Sequence, residues 1–124
     1  MTETSLNLTV RKLPGIGIVD IDGDITGSAE EALTAAYADA IDGGAQAFVL
    51  NFTELDYMNS TGIGLLVTLL IRAQRQSRAL LAYGLSDHYK EIFQLTRLDE
   101  AIGIYDSESA VMEALKETQT ESLK

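Results

Sequence analysis

The sequence predicts an α/β fold: a mixed, mostly parallel β-sheet with an N-terminal hairpin and about four helices. Two observations support this class. The chain opens with an alternating apolar and polar segment followed by a tight turn, and β-rich apolar runs then alternate with helical patterns. The predicted order is ββαβαβαβα, with right-handed crossovers between the parallel strands. We expect residues 1–124 to form a single domain, with its core at about 6–115 and a polar tail at 118–124.

The hairpin is predicted from the first 24 residues. Residues 5–10 alternate as a half-buried strand does, and a turn at 13–15 contains Pro14, the one proline of the chain. Residues 16–21 form the second strand, and the Asp-Gly-Asp sequence at 22–24 is expected to end it.

The rest of the chain follows from helical spacing and from turn residues. Ser28 and Glu31 fit a capping box that starts the first helix, and Gly43 and Gly44 end it. The later elements are expected to be a buried strand at 48–52, a helix from near 60 to about 77, a strand at 79–83, a helix at 87–95, a strand at 101–105 and a helix from 107 to about 118. The second helix should pack through a stripe made of Ile63, Leu66, Val67, Leu70 and Ile71, widened by Leu65 and Leu69.

Composition excludes several classes of partner. The formal net charge of −10 disfavours nucleic acid and anionic lipid, and it leaves room for a basic protein partner. The absence of cysteine excludes disulfides, thiolate chemistry and zinc–sulfur sites. No apolar run is long enough to span a bilayer, and the polar residues 1–5 do not resemble a secretory signal. We therefore expect a cytoplasmic protein that does not insert into membranes.

The most informative stretch is Tyr-Met-Asn-Ser-Thr-Gly-Ile-Gly-Leu-Leu at residues 57–66. It places hydroxyl groups where a strand passes into an apolar helix. A helix N-terminus offers unpaired N–H groups and partial positive charge, which suit a phosphate. We therefore expect the protein to be regulated at Ser60, although Ser60 also stands where a helix N-cap is expected. Asn59 and Thr61 remain the alternative caps.

No other motif indicates catalysis, a cofactor or a metal. Asp20, Asp22 and Asp24 resemble part of a calcium loop, but the remaining pattern is absent, which favours solvated loop carboxylates. His88 is the one histidine and is interpreted as a surface residue. The Gly-Ile-Gly at 62–64 lacks the third glycine of a dinucleotide fingerprint, and Gly64 is expected to permit close helix packing.

The order of elements, together with Leu-Asp-Tyr-Met-Asn-Ser-Thr-Gly-Ile-Gly at 55–64, resembles a STAS domain. More narrowly, the chain resembles the stand-alone anti-sigma-factor antagonists of bacteria, from about residue 6 to 115. The Gly-Asp-Ile sequence at 23–25 matches the Gly-Glu-Leu/Ile position of that family.

The resemblance implies a set of site residues. Ser60 matches the phosphorylated serine of the antagonists, and Thr61 matches its neighbour, the less usual acceptor. The implied partner-binding surface consists of Asp24, Thr26, Asn59, Ser60, Thr61, Gly62 and Ile63. The sequence departs from the family at two of these positions, because Asn59 and Thr26 stand where the antagonists often have aspartates.

The resemblance also implies a binding protein and not an enzyme. An anti-sigma factor, often itself a serine kinase, would bind the surface when Ser60 is unphosphorylated, and a serine phosphatase would reset the switch. The departures at Asn59 and Thr26 keep an alternative open. In that interpretation the chain is a non-switching STAS scaffold, or an accessory subunit of a signalling complex or a lipid-transport ATPase. The sequence does not determine the oligomeric state.

Overall fold

The computed structural model describes the backbone of residues 6–122 and the side chains of residues 6–116. It contains one five-stranded sheet with strand order β1-β2-β3-β4-β5. The first two strands pair antiparallel, and each later pair is parallel. The α/β class, the N-terminal hairpin and the order ββαβαβαβα are thereby confirmed.

The elements have the following bounds. The strands are β1 Leu6–Leu13, β2 Ile16–Ile25, β3 Ala47–Met58, β4 Ala79–Tyr83 and β5 Gly103–Tyr105. The helices are α1 Glu30–Ile41, α2 Ser60–Arg75, α3 Asp87–Leu95 and α4 Glu108–Ser122, with short 3-10 turns at Gly27–Ala29 and Leu98–Glu100. Residues 1–5, which include the predicted start of the first strand, lie outside the described part. So do the side chains of the predicted polar tail.

The Asp-Gly-Asp sequence at 22–24 does not end a strand, which corrects the sequence-based prediction. β2 continues to Ile25 beside an equally extended β3, with Asp22 opposite Glu54. Two shifts of register accommodate this sequence, and Gly23 adopts a positive φ of 118°. The pairing with a long neighbouring strand outweighs the local preference of Asp and Gly for turns.

The predicted capping box at the start of α1 does not form. Thr26 is extended, a 3-10 turn follows it, and the α-helix proper begins at Glu30. The Ser28 hydroxyl lies 3.0 Å from that of Thr26, and the α1 cap position has no side-chain hydrogen bond to the helix.

Helices cover both faces of the sheet. The larger core lies between one face and α1, α2 and α3, and a smaller apolar cluster joins the other face to Val111 of α4. On α2 the buried residues are Gly62, Leu66, Leu69, Leu70 and Ala73. Ile71, predicted in this stripe, is 45% exposed, because the buried face of α2 passes through Leu70 and Ala73 and leaves Ile71 on the solvent side.

Within residues 6–122, no helix combines the length and the apolar character needed to cross a bilayer.

Candidate functional site

The stretch singled out in the sequence forms the turn between β3 and α2, at the carboxyl edge of the parallel strands. β2 ends beside it, since Ile25 pairs with Met58. The residues that follow these two, Thr26 and Asn59, therefore lie at the same edge of the sheet. Such edges are where α/β proteins commonly bind ligands and partners.

Asn59 is the residue that caps α2. Its backbone is extended, with φ −92° and ψ −179°, and its Oδ1 accepts a 2.8 Å hydrogen bond from the Gly62 N–H. Its carbonyl accepts from the Ile63 N–H at 3.0 Å, and its own N–H donates to the Ile25 carbonyl at 3.3 Å. Of the three caps considered from the sequence, the structure selects Asn59 over Ser60 and Thr61.

Because Asn59 supplies the cap, the Ser60 hydroxyl is not used for it. Ser60 is the first residue of α2 and is exposed, as is Thr61. Within the part of the chain that the structure describes, the Ser60 side chain makes no hydrogen bond, and the N–H groups of Ser60 and Thr61 have no acceptor. The helix N-terminus thus presents a free hydroxyl in a region of partial positive charge.

The turn between β2 and α1 borders this helix start. An added Cβ on Gly27 would lie only 3.2 Å from Cγ2 of Thr61, so the two segments are in close contact. The Thr26 carbonyl accepts from the Ala29 N–H at 2.9 Å, which closes the turn. Asp24 precedes it on β2 and pairs in register with Tyr57 of β3.

The two glycines of the motif have different surroundings. Gly62 is buried, and the Ile25 carbonyl lies where a Cβ of residue 62 would stand. Gly64 is exposed, and among the described residues a Cβ added there would meet no atom within 4 Å apart from its chain neighbours and the backbone of its own helix. Close helix packing therefore depends on Gly62, and the prediction that Gly64 permits it is wrong.

The sequence model of the STAS domain matches residues 7–111, which is most of the chain. The chain belongs to the STAS domain family. This agrees with the observed fold and with the resemblance found in the sequence.

Named relatives within this family are anti-sigma factor antagonists. BtrV of Bordetella bronchiseptica, provisionally named as one, is 25% identical over 111 residues, which cover 90% of this chain and 96% of BtrV. The anti-sigma-B factor antagonist of Listeria monocytogenes is 34% identical over 59 residues, which cover 48% of this chain and 52% of that protein.

A solved structure extends the likeness to three dimensions. The crystal structure of an anti-sigma factor antagonist from Mycobacterium paratuberculosis superposes with a TM-score of 0.77 at 18% identity, covering 90% of this chain and 95% of that one. At this identity the likeness establishes the STAS fold alone.

The STAS fold brings the predicted site residues together at one edge of the sheet. Six of them are exposed or half-buried there: Asp24, Thr26, Asn59, Ser60, Thr61 and Ile63. The seventh, Gly62, lies beneath them and shapes the surface by allowing α2 to approach β2. That a partner binds this surface stays a prediction.

Sequence reasoning missed two features, and the first is a polar network on the α4 side of the sheet. The Arg11 guanidinium donates to both carboxylate oxygens of Asp20, at 2.7 and 2.8 Å, and to Glu108 of α4 at 2.8 Å. Tyr83 donates to the same Glu108 oxygen at 2.7 Å, and Asn51 donates to Asp20 at 2.8 Å. No local pattern marks this network, because its members come from five different elements.

The network changes the acid–base properties of its members. The hydrogen bonds from Arg11 lower the pKa of Asp20 and that of Glu108, while burial and the bond to Glu108 raise the pKa of Tyr83 to about 12. The hydrogen bonds to the two carboxylates raise the pKa of Arg11. All three charges therefore persist at neutral pH, and they join α4 to the sheet.

The aspartates considered as part of a calcium loop lie instead along β2. Asp20 belongs to the Arg11 network, and Asp22 is exposed. Among the described residues, no group of three or more His, Asp or Glu side chains is arranged to hold a metal ion.

The second missed feature is Tyr89 of α3, whose hydroxyl contacts the backbone of Met58 at the start of the site. In the sequence it is only an apolar-face residue of a short helix.

Proposed function

We propose that this STAS protein is an anti-sigma-factor antagonist whose binding surface is controlled by phosphorylation of Ser60. The observation that carries the proposal is the free, exposed Ser60 hydroxyl on the first turn of α2. It is free because Asn59, and not Ser60, caps the helix. The names of the relatives support the antagonist role, and the position of Ser60 supports the switch.

In the unphosphorylated state the binding surface is made by the start of α2 and by the turn between β2 and α1. It presents small hydroxyl and amide groups from Thr26, Asn59, Ser60 and Thr61. A partner that packs closely on these groups, such as an anti-sigma factor, needs no opening of the fold.

Phosphorylation would change this surface locally. A phosphate on Ser60 adds a charge of about −1.5 to −2 and three strong acceptor oxygens. Within the protein, the unpaired N–H groups of Ser60 and Thr61 and the helix dipole stabilise that charge. At the interface, the same phosphate needs space and desolvation, so a partner fitted to the bare hydroxyl is released.

The proposal includes the enzymes that set the switch. A serine kinase, which in this interpretation is the anti-sigma factor itself, modifies Ser60, and a serine phosphatase removes the phosphate. The protein itself acts by binding and not by turnover. We place it, as one STAS-like domain spanning 1–124, in the bacterial cytoplasm, where sigma factors are controlled.

Site-resolved phosphopeptide mass spectrometry on the protein purified from its source organism, in growth and under stress, tests the switch. We expect a phosphate on Ser60 whose occupancy depends on the condition and which is absent from Ser60→Ala. Ser77→Ala is the matched control, because Ser77 is also exposed but follows the other end of α2.

The opposite result would be an unmodified, well-covered Ser60 peptide in every condition. It would favour the non-switching alternative, in which the chain binds its partner constitutively as a scaffold or as an accessory subunit of a signalling complex or a lipid-transport ATPase. The neutral side chains of Asn59 and Thr26, where the antagonists often have aspartates, are the feature that favours this alternative.

A further inference from the structure

β3 is much longer than the strand beside it. It pairs with β4 only from Ala47 to Asn51, since β4 ends at Tyr83, but it continues to Met58. Among the residues that the structure describes, no strand pairs with the edge of β3 that faces away from β2 along this extension. Met58 is 3% exposed, so backbone polar groups there need a partner other than water.

Two side chains of α3 contact this extension of β3. Phe93 of α3 packs edge-to-face against Phe52 of β3, with ring centroids 6.3 Å apart. Nearer the site, the Tyr89 hydroxyl accepts a 2.8 Å hydrogen bond from the Met58 N–H and lies 3.5 Å from the Met58 carbonyl, to which it donates. The phenol therefore supplies the Met58 N–H with the acceptor that a paired strand would supply, and its contact with the carbonyl is the weaker of the two.

The turn that carries Ser60 is held from the opposite side as well. The Asn59 N–H donates to the Ile25 carbonyl of β2 at 3.3 Å. Successive residues of β3 direct their N–H groups to opposite sides, so Met58 is held by Tyr89 and Asn59 by β2. Ser60 follows immediately after these two anchored residues.

We propose that Tyr89 is a positioning residue for Ser60, acting through the backbone of Met58. Its hydroxyl fixes the end of β3, which sets the Asn59 cap and the placement of Ser60 on the first turn of α2. The importance of that placement for regulation rests on the proposed function, whereas the placement itself does not.

Tyr89 is itself well anchored for this role. Its ring is buried, with 7% exposure, and its backbone N–H donates to the Ser86 hydroxyl that caps α3, at 3.4 Å. Burial of the ring and capping of α3 together hold the phenol in place.

The chain has no cysteine, so Ser60→Cys introduces a unique thiol at the position in question. Its pKa is measured from the pH dependence of alkylation by iodoacetamide. A thiol held on the first turn of a helix has a pKa below the ordinary value of about 8.5. We expect such a lowered value in Ser60→Cys and a rise of about half a unit or more when Tyr89→Phe is added.

Amide hydrogen exchange of the Ser60→Cys protein provides a second readout. We expect the Met58 amide to be protected in it, although no strand pairs with that side of β3, and to exchange about tenfold faster after Tyr89→Phe. The matched control is Tyr37→Phe in the same background. It also removes a buried tyrosine hydroxyl, but this one donates to Gln76, at 2.6 Å, which caps the end of α2 opposite to Ser60.

The control separates positioning from loss of stability. Tyr37→Phe is expected to lower the melting temperature without changing the thiol pKa or the Met58 exchange rate. Equal thiol pKa values in the Tyr89→Phe and Tyr37→Phe proteins would overturn the proposal. An unprotected Met58 amide in the Ser60→Cys protein would also overturn it, and that measurement does not require the Tyr89 variant to fold.

These assays contain no kinase and no binding partner. A failed search for phosphate on Ser60 would therefore count against the proposed function and leave the result on Tyr89 standing. A thiol pKa that Tyr89→Phe leaves unchanged would count only against the positioning role of Tyr89.

Discussion

The backbone carbonyl of Ile25 occupies the space that a Cβ on Gly62 would need, so the first turn of α2 rests directly on the end of β2. This contact brings the Ser60 turn against the turn between β2 and α1. It explains why a glycine stands at a buried position of a helix, where alanine is otherwise preferred.

Gly62→Ala is expected to destabilise the protein by about 1–3 kcal/mol, because the added methyl group would displace packed backbone. Gly64→Ala is the control, since its methyl group meets no atom within 4 Å and raises helix propensity by up to about 1 kcal/mol. Urea denaturation of both variants measures the difference. Equal stabilities would contradict the close packing of α2 on β2.

Asn59→Ala is expected to lower the free energy of unfolding by about 1 kcal/mol, because the Gly62 N–H loses its acceptor at 2.8 Å. Asn59→Asp should retain the cap, since a carboxylate accepts the same hydrogen bond and suits a helix N-terminus. Thermal melts of the two variants beside wild type test this. If Asn59→Asp lost as much stability as Asn59→Ala, the amide group of Asn59 would have a role other than capping.

If the proposed function is correct, Ser60→Asp is expected to bind the partner anti-sigma factor about tenfold or more weakly than Ser60→Ala does, because charge is added at the interface. Ser60→Ala should bind like the unphosphorylated wild type. Ser77→Asp adds the same charge beyond the far end of α2 and should leave the affinity unchanged. Isothermal titration calorimetry measures the affinity of all three variants. If Ser77→Asp lost as much affinity as Ser60→Asp, net charge and not the position of Ser60 would explain the weaker binding.

Arg11→Met is expected to destabilise the protein at neutral pH by about 1–2 kcal/mol. The loss is smaller than for a fully buried ion pair, because the Arg11 and Asp20 side chains are 39% and 28% exposed and water screens their charges. The pKa values of Asp20 and Glu108 are lowered in the folded protein, so their contribution is present above the ordinary carboxyl pKa of about 4. It is lost as the pH falls through the lowered values.

The difference in stability between wild type and Arg11→Met should therefore become smaller as the pH falls below about 4. Melting temperatures from neutral to acidic pH measure it. Arg97→Met is the control, because among the described side chains Arg97 forms an ion pair with Glu100 alone, at 3.9 Å and exposed to solvent. A constant difference across the range would show that Arg11 acts through packing alone.

Much of the fold was predictable because its signals are local. The bounds expected for β4 and α3, 79–83 and 87–95, match Ala79–Tyr83 and Asp87–Leu95, since apolar runs and polar caps mark both elements clearly. The start of α2 near Ser60 was also expected, and the structure assigned its cap to Asn59. Three adjacent residues with good capping side chains are not separable by propensity alone.

The sequence by itself determined the α/β class, the order of the elements, the STAS resemblance and the motif that begins α2. Only the tertiary structure decided that β2 continues through the Asp-Gly-Asp at 22–24, that Gly62 packs on Ile25, and that Arg11 and Tyr89 anchor distant elements. The physical reason is the range of the interactions. Hydrophobic period and turn preference act between neighbours in sequence, whereas strand pairing, close backbone contact and buried hydrogen bonds join residues that only the folded chain brings together.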